Sequence, residues 1–279
     1  AYNAHRIGLT EVVFLDSSAE NLTIFGEIAR YVFNAIRPDI HFSVTSDPVP
    51  ALKNSHYVIT TLRVGGDESR IRDERIALAH NTLGQETTGV GGFAKALRTI
   101  PVILEVARKV EQLAPEAFIL NFTNPAGIVT EAVSRYSKAK IIGLCNVPIN
   151  MQHMIVGMLG AQESEVKLRF AGLNHMVWVH KVLQGHEDVT GKVIDMLCDG
   201  KALSMNNIKE LPWPAEFLRA LKAIPCPYHR YFWLTPAMLA EEIAAAKTKG
   251  TRAEQVMKVE QELFALYADP QLEEKPEQL

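Results

Sequence analysis

The sequence predicts an α/β fold: a doubly wound, mostly parallel sheet, followed by an α+β domain with antiparallel strands and helices. Three observations predict it. Over the first half, short apolar runs alternate with stretches whose apolar residues recur at helical spacing. Around residues 147–172 the pattern changes to two longer runs of strand character, and from Trp213 onward it is helical. Alternating βαβα units imply a parallel sheet, whereas long runs joined by a short turn imply antiparallel pairing. The boundary is placed after Val147, giving residues 1–147 and 148–279 as two units.

Each element has its own signal. Residues 11–16 read as a strand ending in the acid Asp16, and residues 21–36 as a helix. Residues 40–45 are short and β-like, and residues 56–62 read as a buried strand from which Arg63-Val-Gly-Gly66 turns away. Helices are predicted at 68–79 and at 93–113, the second with a kink expected at Pro101. A strand at 117–121 runs into Thr123-Asn124-Pro125, where Asn124 or Thr123 is expected to cap a helix at 126–136. The next strand is 141–145. Residues 165–170 and 177–183 read as antiparallel strands, and 215–223, 236–247 and 252–267 as helices. A nucleotide-binding sheet normally has an earlier strand and a glycine-rich turn about twenty residues before an acid such as Asp16. A first βα unit is therefore expected to be missing here, as is more chain after the polar stretch 268–279.

Composition narrows the function. The chain has 279 residues, 47% hydrophobic and 22% charged, with a formal net charge of −3. No basic stripe exists, so nucleic acid is not an expected partner. No apolar stretch is long enough for a bilayer and the opening residues do not read as a secretory leader, so a membrane is not expected either. Three cysteines at scattered spacings do not make a disulfide framework and fit a reducing cytoplasm.

Cys145 and His175 carry the sharpest chemistry. Each closes an apolar run that reads as a strand, and strand ends are where α/β sheets bind ligands. A thiol and an imidazole can share a metal ion, and the helix start after Cys145 favours its thiolate. The competing reading is a buried core cysteine. Two protein ligands leave positions for substrate or water oxygens, which favours Mn²⁺ over a closed zinc site. Thr123-Asn124-Pro125 resembles the Asn-Pro turn of lactate- and malate-type dehydrogenases, where the asparagine bonds nicotinamide and substrate. Gly84-Gln-Glu86-Thr-Thr-Gly89-Val-Gly91-Gly92 is a glycine-rich loop but not a phosphate loop, because it lacks a Gly-Lys-Ser/Thr ending. Arg63, Arg70 and Arg252 are candidate anion binders. Tyr228-His229-Arg230-Tyr231-Phe232-Trp233 reads first as core packing, although a tyrosine beside an arginine can have a lowered pKa and act as a base.

Taken in order, Arg63-Val-Gly, Arg70-x-x-Asp73-Glu74, Gly84-Gln-Glu86-Thr, Asn121-Phe-Thr-Asn124-Pro125, Gly143-Leu-Cys145-Asn146-x-Pro148, Gly172-Leu-Asn174-His175 and Tyr228-His-Arg-Tyr231 resemble glycoside hydrolase family 4. The resemblance implies a Rossmann-like, lactate/malate dehydrogenase-like fold, with NAD⁺ and Mn²⁺ or another divalent cation as cofactors. It implies hydrolysis of 6-phospho-β-glucosides by redox, elimination and addition: hydride leaves C3 of the sugar for NAD⁺, a tyrosine removes the acidified C2 proton, the C1 group departs, water adds and the hydride returns. The two-carboxylate apparatus of most glycosidases is not needed. By motif, Cys145 and His175 are the metal ligands and Tyr228 or Tyr231 the base. Asp16, Arg63, Asn121 and Asn124 would contact the cofactor. Arg70, Glu86, Asn124, Asn146, Asn174 and Arg252 would contact the substrate, a phosphorylated disaccharide or aryl glucoside, with Arg70 and Arg252 on the 6-phosphate. Asn146 stands where the family's α-enzymes resemble Gly-Leu-Cys-Asp, which implies β-specificity. A cytoplasmic homodimer or homotetramer is implied. Two other readings remain at this point: an NAD-dependent 2-hydroxy-acid dehydrogenase of similar fold, and a non-catalytic nucleotide-binding fragment.

Overall fold

The computed structural model describes residues 3–203, 205 and 207–269. β1 (Glu11–Leu15), α1 (Ala19–Ile36) and β2 (His41–Thr45) form the first βαβ unit, its strands paired in parallel. The Ser18 hydroxyl caps α1 by accepting the Asn21 N–H. Gly26 lets α1 lie close on β2: a Cβ there would come within 2.8 Å of a Val44 methyl.

After α2 (Pro48–Leu52), a second parallel sheet has the order β3 (Tyr57–Thr60), β4 (Phe118–Asn121), β5 (Lys140–Gly143). α3 (Gly66–Ala79) and α4 (Gly89–Leu113) connect β3 to β4, and α5 (Ala126–Tyr136) connects β4 to β5. The parallel α/β class is as predicted. The ladder is nevertheless in two pieces: among the described residues no pairing joins β1–β2 to β3–β4–β5.

Three details differ from expectation. Residues 56–62 are not buried on both faces. Side chains alternate along a strand, and Val58 packs with fully buried Ile119 and Ile103, whereas Tyr57 and Ile59 are 62% and 64% exposed. The register places Phe118, Leu120 and Ile142 on that same uncovered face. Secondly, α4 runs through Pro101 as expected but begins four residues earlier than predicted, at Gly89, with the proline on its exposed side. The carbonyl it leaves without an N–H partner can there turn to water. Thirdly, neither Thr123 nor Asn124 caps α5. Pro125 holds the N-cap position, and the Thr123 hydroxyl instead accepts the Leu62 N–H at 2.9 Å, tying the ends of β3 and β4 together.

The second half begins with α6 (Val147–Leu159) and a long antiparallel hairpin, β6 (Val166–Leu173) and β7 (Met176–Gln184). Short strands β8 (Glu187–Asp188) and β9 (Ile224–Pro225) flank β7. α7 (Thr190–Cys198), which the sequence pattern did not single out, packs on this sheet. α8 (Ala215–Leu221), α9 (Arg230–Trp233), α10 (Thr235–Thr248) and α11 (Arg252–Tyr267) complete the fold. The polar tail reading lies, from residue 270 on, outside the described residues.

Two buried apolar clusters form. One draws on Leu52 through Ile141, the other mainly on residues from Val147 to Met238. α11 returns to the first half, where Phe264 and Tyr267 meet Phe25 edge-on and the Ala253 N–H donates to Glu74 at 2.8 Å. Among the described residues, no helix is long and apolar enough to cross a membrane.

Candidate functional site

Parallel strands deliver their C-terminal ends to one edge, so the residues that follow them converge. Asp16 follows β1, Arg63 lies just past β3, Asn124 past β4 and Cys145 past β5. His175 arrives from the other half, in the two-residue turn between β6 and β7, with φ +59°. A left-handed backbone is uncommon for a β-carbon-bearing residue and is held only where the surroundings impose it. Gly172 makes the turn feasible, because a Cβ there would lie 2.2 Å from the Met176 carbonyl oxygen.

The turn brings His175 Nε2 to 3.5 Å from Cys145 Sγ. The Val147 N–H, at the start of α6, also points at that sulfur from 3.5 Å. On its other side, His175 Nδ1 lies 3.2 Å from the Thr87 hydroxyl. The Tyr228 ring stacks on the His175 ring with centroids 3.6 Å apart and planes 6° from parallel. The Tyr228 hydroxyl accepts from Asn207 Nδ2 at 3.4 Å, and the Tyr231 ring is 6.0 Å from that of Tyr228. A small open pocket beside His175 is lined by Thr87, Pro125, Gly127, Asn174 and Phe232.

Burial sets the protonation states. It depresses His175 to about 4, against an opposing pull from Glu86, so the imidazole is neutral near pH 7. Burial, then proximity to Cys145, pushes Tyr228 up to about 12. Burial followed by the nearby Glu242 raises Tyr231 as well. The expectation of a tyrosine lowered by its neighbouring arginine is thus corrected. Arg230 has its partners elsewhere: it pairs with Glu210, donates to the Leu211 carbonyl and stacks over Trp213, so burial prevails at both phenols.

Behind the pocket is a buried charge network. Glu86 pairs with Lys95 and lies 3.4 Å from Arg70 Nη1. Burial raises the Glu86 carboxyl, but Lys95 and Arg70 outweigh it and hold the group below its ordinary value. Arg70 also donates to Glu74 at 3.0 Å, so its guanidinium is engaged by two carboxylates. Arg63 pairs with Asp67 and lies 3.5 Å from Glu260.

The remaining predicted residues divide. Asp16 is half-buried at the end of β1, where its carboxylate accepts from the Ser18 N–H and Asn21 Nδ2. Asn124 is half-buried between the pocket's Pro125 and β4. Asn146 sits beside Cys145 at the N-cap of α6, with no capping hydrogen bond from its side chain. Asn174 lines the pocket. Asn121 is drawn away from it: fully buried, its amide bonds Thr60, Thr123 and Thr130 and ties β4 to its neighbours. Arg252 is exposed at the start of α11, next to the Ala253 N–H that holds Glu74.

Sequence reasoning missed Lys95, Gln85, Thr87, Asn207 and Glu242. Lys95 left a usable signal. It occupies the buried stripe of α4 with Gly92, Ala96, Thr99 and Ile103, where a lone cation needs a buried acid. The others come together only through tertiary contacts.

The donor set fits a divalent cation. A thiol and a neutral imidazole face each other, and no third His, Cys, Asp or Glu joins them among the described residues. Such a set leaves open positions, as a catalytic site requires and a structural zinc site does not.

The chain is similar to known proteins over most of its length. Residues 2–161 match the model described as family 4 glycosyl hydrolase, and residues 170–278 match its C-terminal domain. A probable 6-phospho-beta-glucosidase of Bacillus subtilis (strain 168) is 47% identical over 270 residues, which are 96% of this chain and 61% of the relative. The 6-phospho-beta-glucosidase of Escherichia coli (strain K12) is 43% identical over 92% of this chain and 58% of its own length. The chain therefore spans about three fifths of these relatives. A structure of the 6-phospho-beta glucosidase of Thermotoga maritima with manganese, NAD+ and glucose-6-phosphate superposes with a TM-score of 0.82 and 35% identity, covering 95% of this chain and 62% of that one.

Proposed function

This chain belongs to family 4 of the glycosyl hydrolases, and from that premise we propose that it hydrolyses 6-phospho-β-glucosides with NAD⁺ and a divalent metal ion. The observation that carries the proposal is the meeting of Cys145 Sγ and His175 Nε2 at 3.5 Å beneath the stacked ring of Tyr228. Its support is the character of the relatives, 6-phospho-beta-glucosidases 47% and 43% identical to this chain.

In this reading residues 1–147 hold NAD⁺, with Asp16 toward the adenosine ribose, and Asn124 stands near the nicotinamide. Residues 148–279 bring His175, Asn174 and the tyrosines to the sugar. Cys145 and His175 are the metal ligands. A divalent cation between them would polarise a sugar oxygen and draw down the pKa of the phenol above it. NAD⁺ would take up and return a hydride. Tyr228 is the base that removes the C2 proton, favoured over Tyr231 because its ring lies on His175. Asn207 donates to the Tyr228 oxygen and so favours its phenolate. Glu86, held ionised by Lys95 and Arg70, is a fixed acceptor for a sugar hydroxyl. Exposed Arg252 is preferred over Arg70 for the 6-phosphate, because Arg70 already serves two carboxylates. We place the enzyme in the cytoplasm as a homodimer or homotetramer. Three free cysteines support the first statement, and the exposed Val90, Phe93 and Leu97 along one side of α4 support the second.

Chelation tests the proposal. With NAD⁺ present, EDTA should abolish release of the aglycone from an aryl 6-phospho-β-glucoside, and Mn²⁺ should restore it. Replacing Cys145 with Ser should remove the restored activity. Turnover that survives complete chelation, or an active Cys145→Ser enzyme, would overturn the metal role.

A further inference from the structure

A hydroxyl carries one hydrogen and two lone pairs, and at Thr87 the partners decide where each goes. Gln85 Oε1 accepts from the backbone N–H of Thr87 at 2.6 Å and from that of Thr88 at 3.0 Å. Two N–H donors identify that atom as the amide oxygen, which can only accept. The Thr87 hydroxyl, which also has the Tyr228 phenol as a partner, lies 2.9 Å from the same oxygen; a phenol can donate but the amide oxygen can only accept, so the single hydroxyl hydrogen is directed to Gln85. Its contact with His175 Nδ1, at 3.2 Å, must then run the other way: Nδ1–H donates and Thr87 accepts. A neutral imidazole with its proton on Nδ1 has a bare lone pair on Nε2, the nitrogen that faces Cys145 Sγ.

We propose that Gln85 and Thr87 are positioning residues of the metal site, fixing His175 as the Nδ1–H tautomer so that Nε2 presents its lone pair beside Cys145. The inference rests on the metal reading of Cys145 and His175 but concerns groups outside that ligand pair. Ligand histidines are commonly oriented by a carboxylate or carbonyl on the far nitrogen. Here a threonine hydroxyl does it, and a buried glutamine dictates the direction in which that hydroxyl points. The arrangement is held rigidly. Gln85 and His175 are both buried, and Gly91 and Gly92 at the start of α4 allow residues 85–87 to lie directly on the helix.

Two measurements test this. In metal-free, ¹⁵N-labelled protein, the imidazole nitrogen shifts of His175 should show Nδ1 protonated and Nε2 bare; the opposite pattern overturns the proposal. In Mn²⁺ titrations, Thr87→Val should raise the Kd about 10- to 100-fold, and Thr87→Ser should return it to near the wild-type value. An unchanged Kd in Thr87→Val overturns the proposal. If Thr87→Val does not fold, the nitrogen shifts of the wild-type protein still decide. Loss of Mn²⁺ binding in Cys145→Ser tests the metal reading separately. Should wild-type protein fail to bind Mn²⁺ at all, that reading falls while the tautomer is judged on the shifts alone.

Discussion

His229 shows what burial does to one side chain. It is fully buried, neither ring nitrogen has a hydrogen-bond partner among the described residues, and its ring lies 3.7 Å from that of Trp178. Burial alone depresses it from 6.5 to about 4. The folded state therefore binds fewer protons than the unfolded state between those values, so stability is present above pH 6.5 and is lost as pH falls through about 4. At about 1.4 kcal/mol per pH unit, the loss is of order 3 kcal/mol. His229→Phe keeps an aromatic ring against Trp178 and cannot titrate. Urea midpoints at pH 7 and pH 4.5 should show a smaller acid loss in this variant than in the wild type, and equal losses would refute the account. Asn146 offers a different test beside Cys145. Its amide has no titratable proton, so Asn146→Asp should shift the ratio of 6-phospho-α- to 6-phospho-β-glucoside hydrolysis toward α, which a two-substrate assay measures directly.

Helix α4 and the loop before it behave as one piece. The glycine-rich segment first suggests a ligand loop, yet its glycines admit the protein's own backbone. A Cβ on Gly91 would stand 2.3 Å from the Gln85 carbonyl oxygen, and one on Gly92 would stand 2.5 Å from the Thr87 carbonyl carbon. Gly91→Ala should therefore displace residues 85–87, cost about 1–3 kcal/mol in a urea titration, and weaken Mn²⁺ binding through Thr87. α10 secures the same loop from behind, where Glu242 accepts the Gly84 N–H at 2.8 Å. Burial raises Glu242 from 4.5 to about 7. A raised carboxyl contributes stability that is present below pH 4.5 and is lost as pH rises through about 7. Glu242→Gln keeps an acceptor for Gly84 without a charge. Between pH 5 and pH 8 the wild type should lose urea stability relative to this variant, and parallel curves would show that Glu242 does not titrate there.

Over the whole molecule, the site exists because two differently built halves meet. The parallel half supplies Cys145 and Thr87, and the antiparallel half supplies His175 and Tyr228. Each half has its own apolar cluster, so the meeting depends on elements that cross between them. α11 is one such element, reaching α3 through Ala253 and Glu74 and α1 through Phe264 and Phe25. Phe264→Ala should cost about 3 kcal/mol and lower the Tm, while leaving the His175–Cys145 contact formed below the transition. Loss of Mn²⁺ affinity in this variant at low temperature would mean that α11 also shapes the site.

Much of this was legible in the chain. Periodicity placed most of the longer helices and strands, though not α7 or the shortest elements, because the 3.6- and 2-residue repeats of burial are written into the order of apolar residues. α5 and α11 match their predicted bounds. The motifs around Cys145, His175 and Tyr228 singled out residues that the fold does bring together, because residue type and strand-end position are both local properties. What the sequence could not decide was which atoms face each other. Asn121 and Asn124 share one motif, yet strand pairing buries the first and leaves the second by the pocket. Tyr231, next to Arg230 in sequence, is raised, not lowered, because the fold gives the guanidinium other partners and removes water from the phenol. The direction of one hydroxyl hydrogen at Thr87 depends on Gln85 and His175 together, 88 residues from Thr87 to the imidazole. Element type follows from neighbours along the chain, whereas protonation, pairing and tautomer follow from neighbours in space, and only the packed structure supplies those.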